Sequence, residues 1–361
     1  MEELRESLAS AKRVVVKIGS RTLATDGQLE DIARQLAVVV KDQARQCVLV
    51  SSGAVALGWQ RLGYAQRPQK LAQLQAAAAA GQSELMYRYS ESLRAHGVNA
   101  AQILLTHSDL ASRRRITSAQ HTLAALFETN AIPVVNENDV VSTTEIAFGD
   151  NDQLASMVTP MVQADALLLL TDVAGVLDDE GKRIDFLKAE QDVTQRSSGN
   201  QDGKGGIFSK IDAARKAARA GATVVIGPGQ ETDSILRILA GEALGTMIAV
   251  DEQEQLRARQ HWIAYTLKPR GTVVINEGAA AALQEGTRSL LPVGVVGVSG
   301  TFSRGDSVSL VQTDGNEIGR GLAQMNVIGV ASAAGKTSQE LAIKFGDLDP
   351  VVVNKDDLVL L

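Results

Sequence analysis

Up to about residue 250 the chain alternates short aliphatic runs with longer segments of helical spacing, and this alternation narrows the fold more than any other feature. The runs at 13–18, 48–53, 100–106, 132–136, 166–170 and 222–226 are short and mostly apolar, as strands buried on both faces are. Residues 245–250 look like a closing strand. Between the runs, 29–46, 69–94, 117–128, 151–163, 206–220 and 234–240 read as helices, and the small side chains from Ala76 to Ala80 permit close packing in the second. Strands alternating with helices predict an α/β fold, with a mostly parallel sheet sandwiched by helices and wound by right-handed crossovers. The pattern changes near residue 251. A charged stretch at 251–260 leads, beyond Trp262, to short strands at 271–276, 294–298, 306–311 and 319–325 separated by Gly-rich turns. That spacing predicts a second, small, barrel-like β domain, with the boundary at about 255–265.

The length of 361 residues accommodates two such domains, and an apolar content of 45% supplies a core for each. Aromatic residues make up only 3%, so that core is aliphatic. A net charge of -6 gives no general attraction to nucleic acid or anionic membranes. From residue 262 onward Lys and Arg number 8 and Asp and Glu 10, so the tail lacks the basic footprint of RNA binding. The single cysteine, Cys47, lies in an apolar run and reads as a buried structural thiol. Without a second cysteine no disulfide forms within the chain, which fits a reducing compartment. The start, Met1-Glu-Glu-Leu-Arg-Glu6, is acidic rather than signal-like, and no apolar stretch reaches the length of a membrane span. These features predict a soluble, cytoplasmic protein.

Ligands of open parallel sheets bind beyond the carboxyl ends of the strands, and the polar residues gather there. Lys17 sits near the end of the first strand among apolar neighbours. A buried ammonium is costly without an anion, although a lysine at a strand end can also snorkel to solvent. Gly19-Ser20 follows, with backbone amides able to cradle phosphate oxygens. Ser51-Ser52-Gly53 suits a carboxylate or a phosphate, and equally the cap of a following helix. The segment 136–152 is crowded with Asp, Glu and Asn. Asp139 can accept from an amino group, Asn151 can donate and accept, and Asp152 can hold two lysines apart; a helix cap is the plainer account of Asn151 or Asp152. Thr171-Asp172 ends another strand. Gly203 to Lys210 is Gly-rich and basic and opens a helix, so Lys210 can reach a transferring phosphoryl group; a surface loop with chance lysines is the alternative. Together these residues predict a site for phosphates, a metal and a small polar acid.

Two lookalikes fall away. Gly329 to Thr337 has one residue too many between its glycines for a P-loop and lies in the β-rich tail. His96, His107, His121 and His261 show no metal-ligand spacing, so no protein metal ligands are assigned.

Taken in order, Val-Val-Lys17-Ile-Gly19-Ser20, Ser51-Ser52-Gly53, Gly81-Gln82, Leu105-Thr106, Asn136-Glu-Asn-Asp139, Gly149-Asp-Asn151-Asp152, Thr171-Asp172 and Gly205-Gly206 through Lys210 resemble the amino acid kinase superfamily, and within it the glutamate 5-kinase family. Ser289 to Gly294 and Gly300 to Gly305 resemble that family's C-terminal PUA domain. The resemblance implies a kinase domain over 1–255, a linker over 256–268 and a PUA domain over 269–361. It implies phosphorylation of the L-glutamate side-chain carboxylate by ATP with Mg2+, giving L-glutamyl 5-phosphate, the first step of proline biosynthesis. By the same resemblance Lys17 and Lys210 hold the ATP phosphates, Asp152 orients both lysines, and Ser52, Asp139 and Asn151 bind glutamate. Gly19, Thr171, Asp172, Lys204, Gly205, Gly206, Ile207, Phe208, Ser209 and Lys210 would line the nucleotide pocket. A homodimer or homotetramer, feedback inhibition by proline and hand-off of the labile product to a glutamyl phosphate reductase are also implied. Two departures touch the nucleotide pocket: Lys204 and Ile207 stand where the family has Thr and Met, and the segment 175–181 is short. Acetylglutamate kinase and aspartokinase are the nearest rivals, and neither normally carries such a tail.

Overall fold

A computed structural model describes every residue except 1, 24, 26, 143–149, 189–200, 251–254, 287 and 346–350; the side chains of 150, 201–205, 258 and 342–345 also lie outside the description. The chain divides into two compact units, Met1–Gln255 and Leu256–Leu361.

The first unit is built on an eight-stranded sheet. Its strands are β1 (Arg13–Ile18), β2 (Gln46–Ser51), β3 (Ala100–Leu105), β4 (Ile132–Glu137), β5 (Ala166–Thr171), β6 (Phe186–Lys188), β7 (Thr223–Pro228) and β8 (Thr246–Ala249). They lie in the order β3-β4-β2-β1-β5-β7-β8-β6. All neighbours are parallel except β7 and β8, which pair antiparallel. The helices are α1 (Glu2–Ser10), α2 (Ser20–Leu23), α3 (Gln28–Lys41), α4 (Ala54–Arg61), α5 (Leu71–Ala95), α6 (His107–Leu110), α7 (Arg113–Glu128), α8 (Asp150–Met161), α9 (Gln201–Arg219) and α10 (Ser234–Leu239).

Side-chain alternation along β1 decides which face receives what. Val14, Val16 and Ile18 join the core formed with α3 and α5, whereas Val15 joins the core formed with α7, α8 and α9. Lys17 shares the face of Val15, so its ammonium is delivered beneath α8 and α9. Each fully buried aliphatic side chain in these layers contributes roughly 1.5–3 kcal/mol, which makes an ammonium in the same row conspicuous.

Two helix boundaries differ from the sequence reading. The helix expected to run to Gln46 ends at Lys41, because Ala44 takes a left-handed φ of 52° and turns the chain into β2, where Gln46 pairs with Arg13. The helix expected from Gly206 begins at Gln201, so Gly203, Gly205 and Gly206 lie inside α9 rather than in a loop before it. Helical glycine costs about 1 kcal/mol relative to alanine, and that penalty is what made the stretch read as a loop.

Helices α4 and α5 cross with almost no room between their backbones. A Cβ built on Gly58 would lie 1.7 Å from the Ala77 carbonyl oxygen, and one on Gly81 would lie 1.8 Å from that of Ala54. Only hydrogen side chains permit this approach.

The second unit contains α11 (Ala258–His261), β9 (Gly271–Ile275), α12 (Glu277–Gln284), β10 (Val295–Gly300), β11 (Ser307–Gln312), β12 (Glu317–Ala323), α13 (Val327–Ala333), α14 (Ser338–Phe345) and β13 (Val353–Leu360). Its sheet runs β10-β9-β11-β12-β13 over its own apolar core, including Val273, Ile275, Val308 and Leu310.

Candidate active site

The strand order reverses around β1. From β1 the chain builds β2, β3 and β4 on one side, then returns to place β5 and β7 on the other. Such a switch point opens a crevice at the carboxyl ends of the strands. Lys17 pairs in register with Val50 of β2 and Leu169 of β5, so it stands at that crevice.

Lys17 is 4% exposed and Asp152 is fully buried. Lys17 Nζ lies 2.6 Å from Asp152 Oδ1, and Lys210 Nζ lies 2.8 Å from Asp152 Oδ2. The Lys17 contact is close but not well directed, leaving Oδ1 without a properly angled hydrogen bond. Each carboxylate oxygen thus faces one ammonium, and the cluster carries one surplus positive charge. Burial lowers the pKa of Lys17, Asp152 opposes that shift, and the nearby Lys210 charge adds to it. Desolvation of such a cluster offsets much of its Coulomb attraction, so it is a poor stability device. Its presence in the core is better explained by an anion that it receives. The helices that carry the last two charges are fastened together: Gln153 Nε2 donates to Asp212 Oδ2 at 2.8 Å, and Lys216 Nζ donates to Gln153 Oε1 at 2.9 Å.

On the β2 and β4 side lies an amide and hydroxyl cluster. Asn151 Nδ2 lies within donating distance of the Ser51 carbonyl oxygen at 2.8 Å, Ser52 Oγ at 2.9 Å and Asn136 Oδ1 at 2.9 Å. A helix cap accepts from backbone N–H groups, so Asn151 is spending its side chain on the strand ends instead. Neither serine caps α4; that position belongs to Gly53, with φ 113°. The Asn151 contacts commit its Nδ2 to the strand ends. Asp139 lies in the turn after β4, which is closed by Val141 N donating to the Asn138 carbonyl oxygen at 3.2 Å.

The residues expected to line a nucleotide pocket are distributed at the ends of β1 and β5 and along α9. A Cβ on Gly19 would lie 3.9 Å from Lys17 Nζ, so this glycine keeps the space beside the ammonium open. Thr171 Oγ1 donates to Asp172 Oδ1 at 3.0 Å, and the Thr171 carbonyl oxygen accepts from Gly229 N at 2.6 Å. Burial pushes the Asp172 carboxyl up, but the Thr171 hydroxyl, its own N–H and Arg21 together hold it below the usual range. Ile207 packs against the core below α8 and α9, while Gly206, Phe208, Ser209 and Lys210 follow along α9. The side chain of Lys204 lies outside the described residues, so the expected Lys204 phosphate contact has no described geometry. The short segment after Asp172 forms a small hairpin, in which Leu177 bridges Arg183 and Asp178 N donates to the Lys182 carbonyl oxygen at 2.9 Å.

Several participants had no assigned role in the sequence. Asn136 is 2% exposed and donates through Nδ2 to Gln82 Oε1 at 2.7 Å. Tyr89 is fully buried, with its hydroxyl 2.9 Å from Ser51 Oγ. Asn136 and Gln82 fell within motifs, but a strand-end amide and a helical glutamine do not announce which partner they meet. Cys47 is buried, and burial alone pushes its thiol up to about 12, as an inert structural thiol requires. The P-loop lookalike forms a capping box instead, with Thr337 N donating to Glu340 Oε2 at 2.8 Å.

Residues 12–228 match the Amino acid kinase family, and residues 271–343 match the PUA domain. The chain belongs to the amino acid kinase family. Within it, the chain is 43% identical over 369 residues to Glutamate 5-kinase of Methylobacillus flagellatus, covering 98% of this chain and 99% of the relative. It is 42% identical to Glutamate 5-kinase of Nitrosospira multiformis, covering 98% and 99%, and 41% identical to that of Burkholderia orbicola, covering 99% and 100%. It therefore groups with the glutamate 5-kinases of the amino acid kinase family along nearly its whole length.

A kinase of this family uses ATP, and the donor set can be tested for a metal. Among the described residues no group of three His, Cys, Asp or Glu could hold one. Asp152 has both oxygens facing lysines. These residues fit a divalent cation that arrives on nucleotide phosphates and do not form a protein cage for it.

Proposed function

We infer that the chain transfers the γ-phosphoryl group of ATP to the side-chain carboxylate of L-glutamate, giving L-glutamyl 5-phosphate and ADP. The observation that carries this reading is the buried Lys17–Asp152–Lys210 cluster beside the Ser52–Asn151 amide cluster at one switch point. One half suits a polyphosphate and the other a small amino acid.

A glutamate carboxylate oxygen bonds to the γ-phosphorus while the bond from that phosphorus to the β,γ-bridging oxygen breaks, and ADP leaves with the electron pair. The acceptor is already ionised at neutral pH, so no general base is required. Catalysis then rests on alignment and charge neutralisation. In this reading Lys17 and Lys210 flank the transferring group from two sides, and Asp152 fixes their separation. Gly19, Thr171 and Asp172 border the nucleotide together with the 204–210 segment of α9. Ser52, Asp139 and Asn151 hold glutamate, with Asn151 Oδ1 accepting from its ammonium. Mg2+ bound to ATP would supply further neutralisation of the β- and γ-phosphate oxygens.

The same reading carries the first step of proline biosynthesis in the cytoplasm, proline as a feedback inhibitor, a homodimer or homotetramer, and hand-off of a labile acyl phosphate to a reductase. The residue division into 1–255, 256–268 and 269–361 is proposed for the kinase domain, linker and PUA domain.

The test is hydroxylamine trapping of the acyl phosphate from purified protein, ATP, Mg2+ and L-glutamate, with N-acetylglutamate and aspartate as competing acceptors. Glutamyl hydroxamate is expected from the wild type, and Lys210→Ala should reduce its rate on the order of 100- to 1,000-fold. Preference for either rival acceptor would overturn the glutamate assignment.

A further inference from the structure

Helix α5 touches the acceptor side of the site at three places, and the three residues that do so are spaced seven apart. Gln75 Nε2 donates to the Ser142 carbonyl oxygen at 3.1 Å, at the end of the turn that carries Asp139. Gln82 Oε1 accepts from Asn136 Nδ2 at 2.7 Å, at the end of β4. The Tyr89 hydroxyl lies 2.9 Å from Ser51 Oγ, at the end of β2. Two helical turns span about seven residues, so Gln75, Gln82 and Tyr89 occupy one face of α5. A polar stripe on a helix face turned toward the sheet is unusual, because that face normally carries apolar side chains. Here each polar residue ends on a different segment of the proposed glutamate site.

We propose that this stripe is the positioning frame of the acceptor site, and that Gln82 is the residue through which α5 sets the geometry of Asn151. The inference rests on the glutamate kinase reading. The chain of contacts is continuous: Gln82 Oε1 accepts one hydrogen bond from Asn136 Nδ2, and Asn136 Oδ1 accepts from Asn151 Nδ2 at 2.9 Å. Asn136 Oδ1 also accepts from Glu137 N at 2.9 Å, which fixes the orientation of its amide. Asn136 is buried, so without Gln82 its Nδ2 keeps an unmet proton or the amide turns. A turned amide would set a donor against Asn151 Nδ2 and displace the Oδ1 that meets the substrate ammonium. Gln82 touches neither reactant in this scheme and acts through Asn136. Gly81, its chain neighbour, sits at the backbone-close crossing with α4, where a Cβ would lie 1.8 Å from the Ala54 carbonyl oxygen, so α4 holds the frame at that point.

The experiment measures KM for L-glutamate, KM for ATP and kcat for the full-length enzyme, for Gln82→Met, and for Gln82→Met in an Asn136→Ala background. Gln82→Met is expected to raise KM for glutamate roughly tenfold, with KM for ATP unchanged, and to add nothing once Asn136 is already alanine. Tyr89→Phe, which keeps the ring and removes only the hydroxyl, should also raise KM for glutamate selectively and serves if Gln82→Met does not fold. An unchanged KM for glutamate in both variants overturns the proposal. So does an equal rise in both Michaelis constants, or a Gln82→Met effect that persists undiminished without Asn136. If the wild type forms no glutamyl hydroxamate, the kinase reading fails and takes this inference with it. A working wild type with insensitive variants fails the inference alone.

Discussion

At the scale of single residues, the proposed chemistry turns on an ammonium that the fold does not stabilise by itself. Burial depresses the pKa of Lys17 below its ordinary value of 10.5, with Asp152 opposing the shift only in part. Between the folded and unfolded values the unfolded chain binds more protons, so this group's contribution to stability rises as pH climbs through that window. Below the window both states are charged and the full penalty stands. A bound polyphosphate reverses the balance by favouring the charged form. The alkaline limb of kcat/KM should therefore fall with an apparent pKa below 10.5, as Lys17 loses its proton, and saturating ATP should move that limb upward. An alkaline limb that stays flat to pH 10.5 would remove Lys17 from the reaction. Asp152→Asn leaves two ammoniums facing a neutral amide. It should lower kcat on the order of 100-fold or more and cost about 3–5 kcal/mol of stability, read by thermal unfolding. Lys17 and Ser52 stood out because each polar side chain interrupts or follows an apolar run, Asn151 and Asp152 because their segment is crowded with polar residues, and Lys210 because it closes a Gly-rich basic stretch that opens a helix. Gln75 and Tyr89 did not, because polar residues recurring on a long helix read as its solvent face until the sheet is seen beneath them.

At the scale of elements, the strands were the most legible part. The first strand was placed residue for residue, from Arg13 to Ile18, because an aliphatic run buried on both faces has little else to be. Among the elements that escaped, β13 and α12 did so for opposite reasons. In β13, Val353 to Leu360, the paired acids Asp356-Asp357 mask the apolar face that packs on β12. In α12 the alanines give little periodicity, and its start is marked only by Asn276, whose side chain accepts from Ala279 N. The α4–α5 crossing was half legible: the small residues of α5 announced close packing but not its partner. Gly58→Ala and Gly81→Ala each place a methyl group inside a carbonyl oxygen's volume, at 1.7 and 1.8 Å. Overpacked cores lose about 1–3 kcal/mol, and a clash with backbone cannot relax by a rotamer change. Both variants should fall at or beyond the upper end of that range in thermal unfolding. A Gly81→Ala protein that still folds should have a raised KM for glutamate, since Gln82 moves with the helix. By contrast Gly206→Ala meets nothing within 4 Å and should be neutral or mildly stabilising within α9.

At the scale of the whole molecule, the division of labour follows from where the cores close. The two apolar layers of the first unit draw on residues from Leu8 to Ile248, and the second unit packs its own set from Val273 to Leu358 around β9 to β13. Every residue given a role in phosphoryl transfer lies between Lys17 and Lys210, within Met1–Gln255. A chain ending at Gln255 should keep glutamyl hydroxamate formation, with both Michaelis constants within about threefold of the full chain, because every residue given a role lies in the unit that is kept. The acidic balance of the tail argues that RNA retention will not distinguish the two proteins at physiological salt. Loss of transfer in a truncated protein that unfolds cooperatively at the full-length temperature would mean that the second unit acts on the kinase itself, because failed folding would then be excluded. Full activity would instead confine phosphoryl transfer to the first unit and leave the second free for a task unconnected with the reaction.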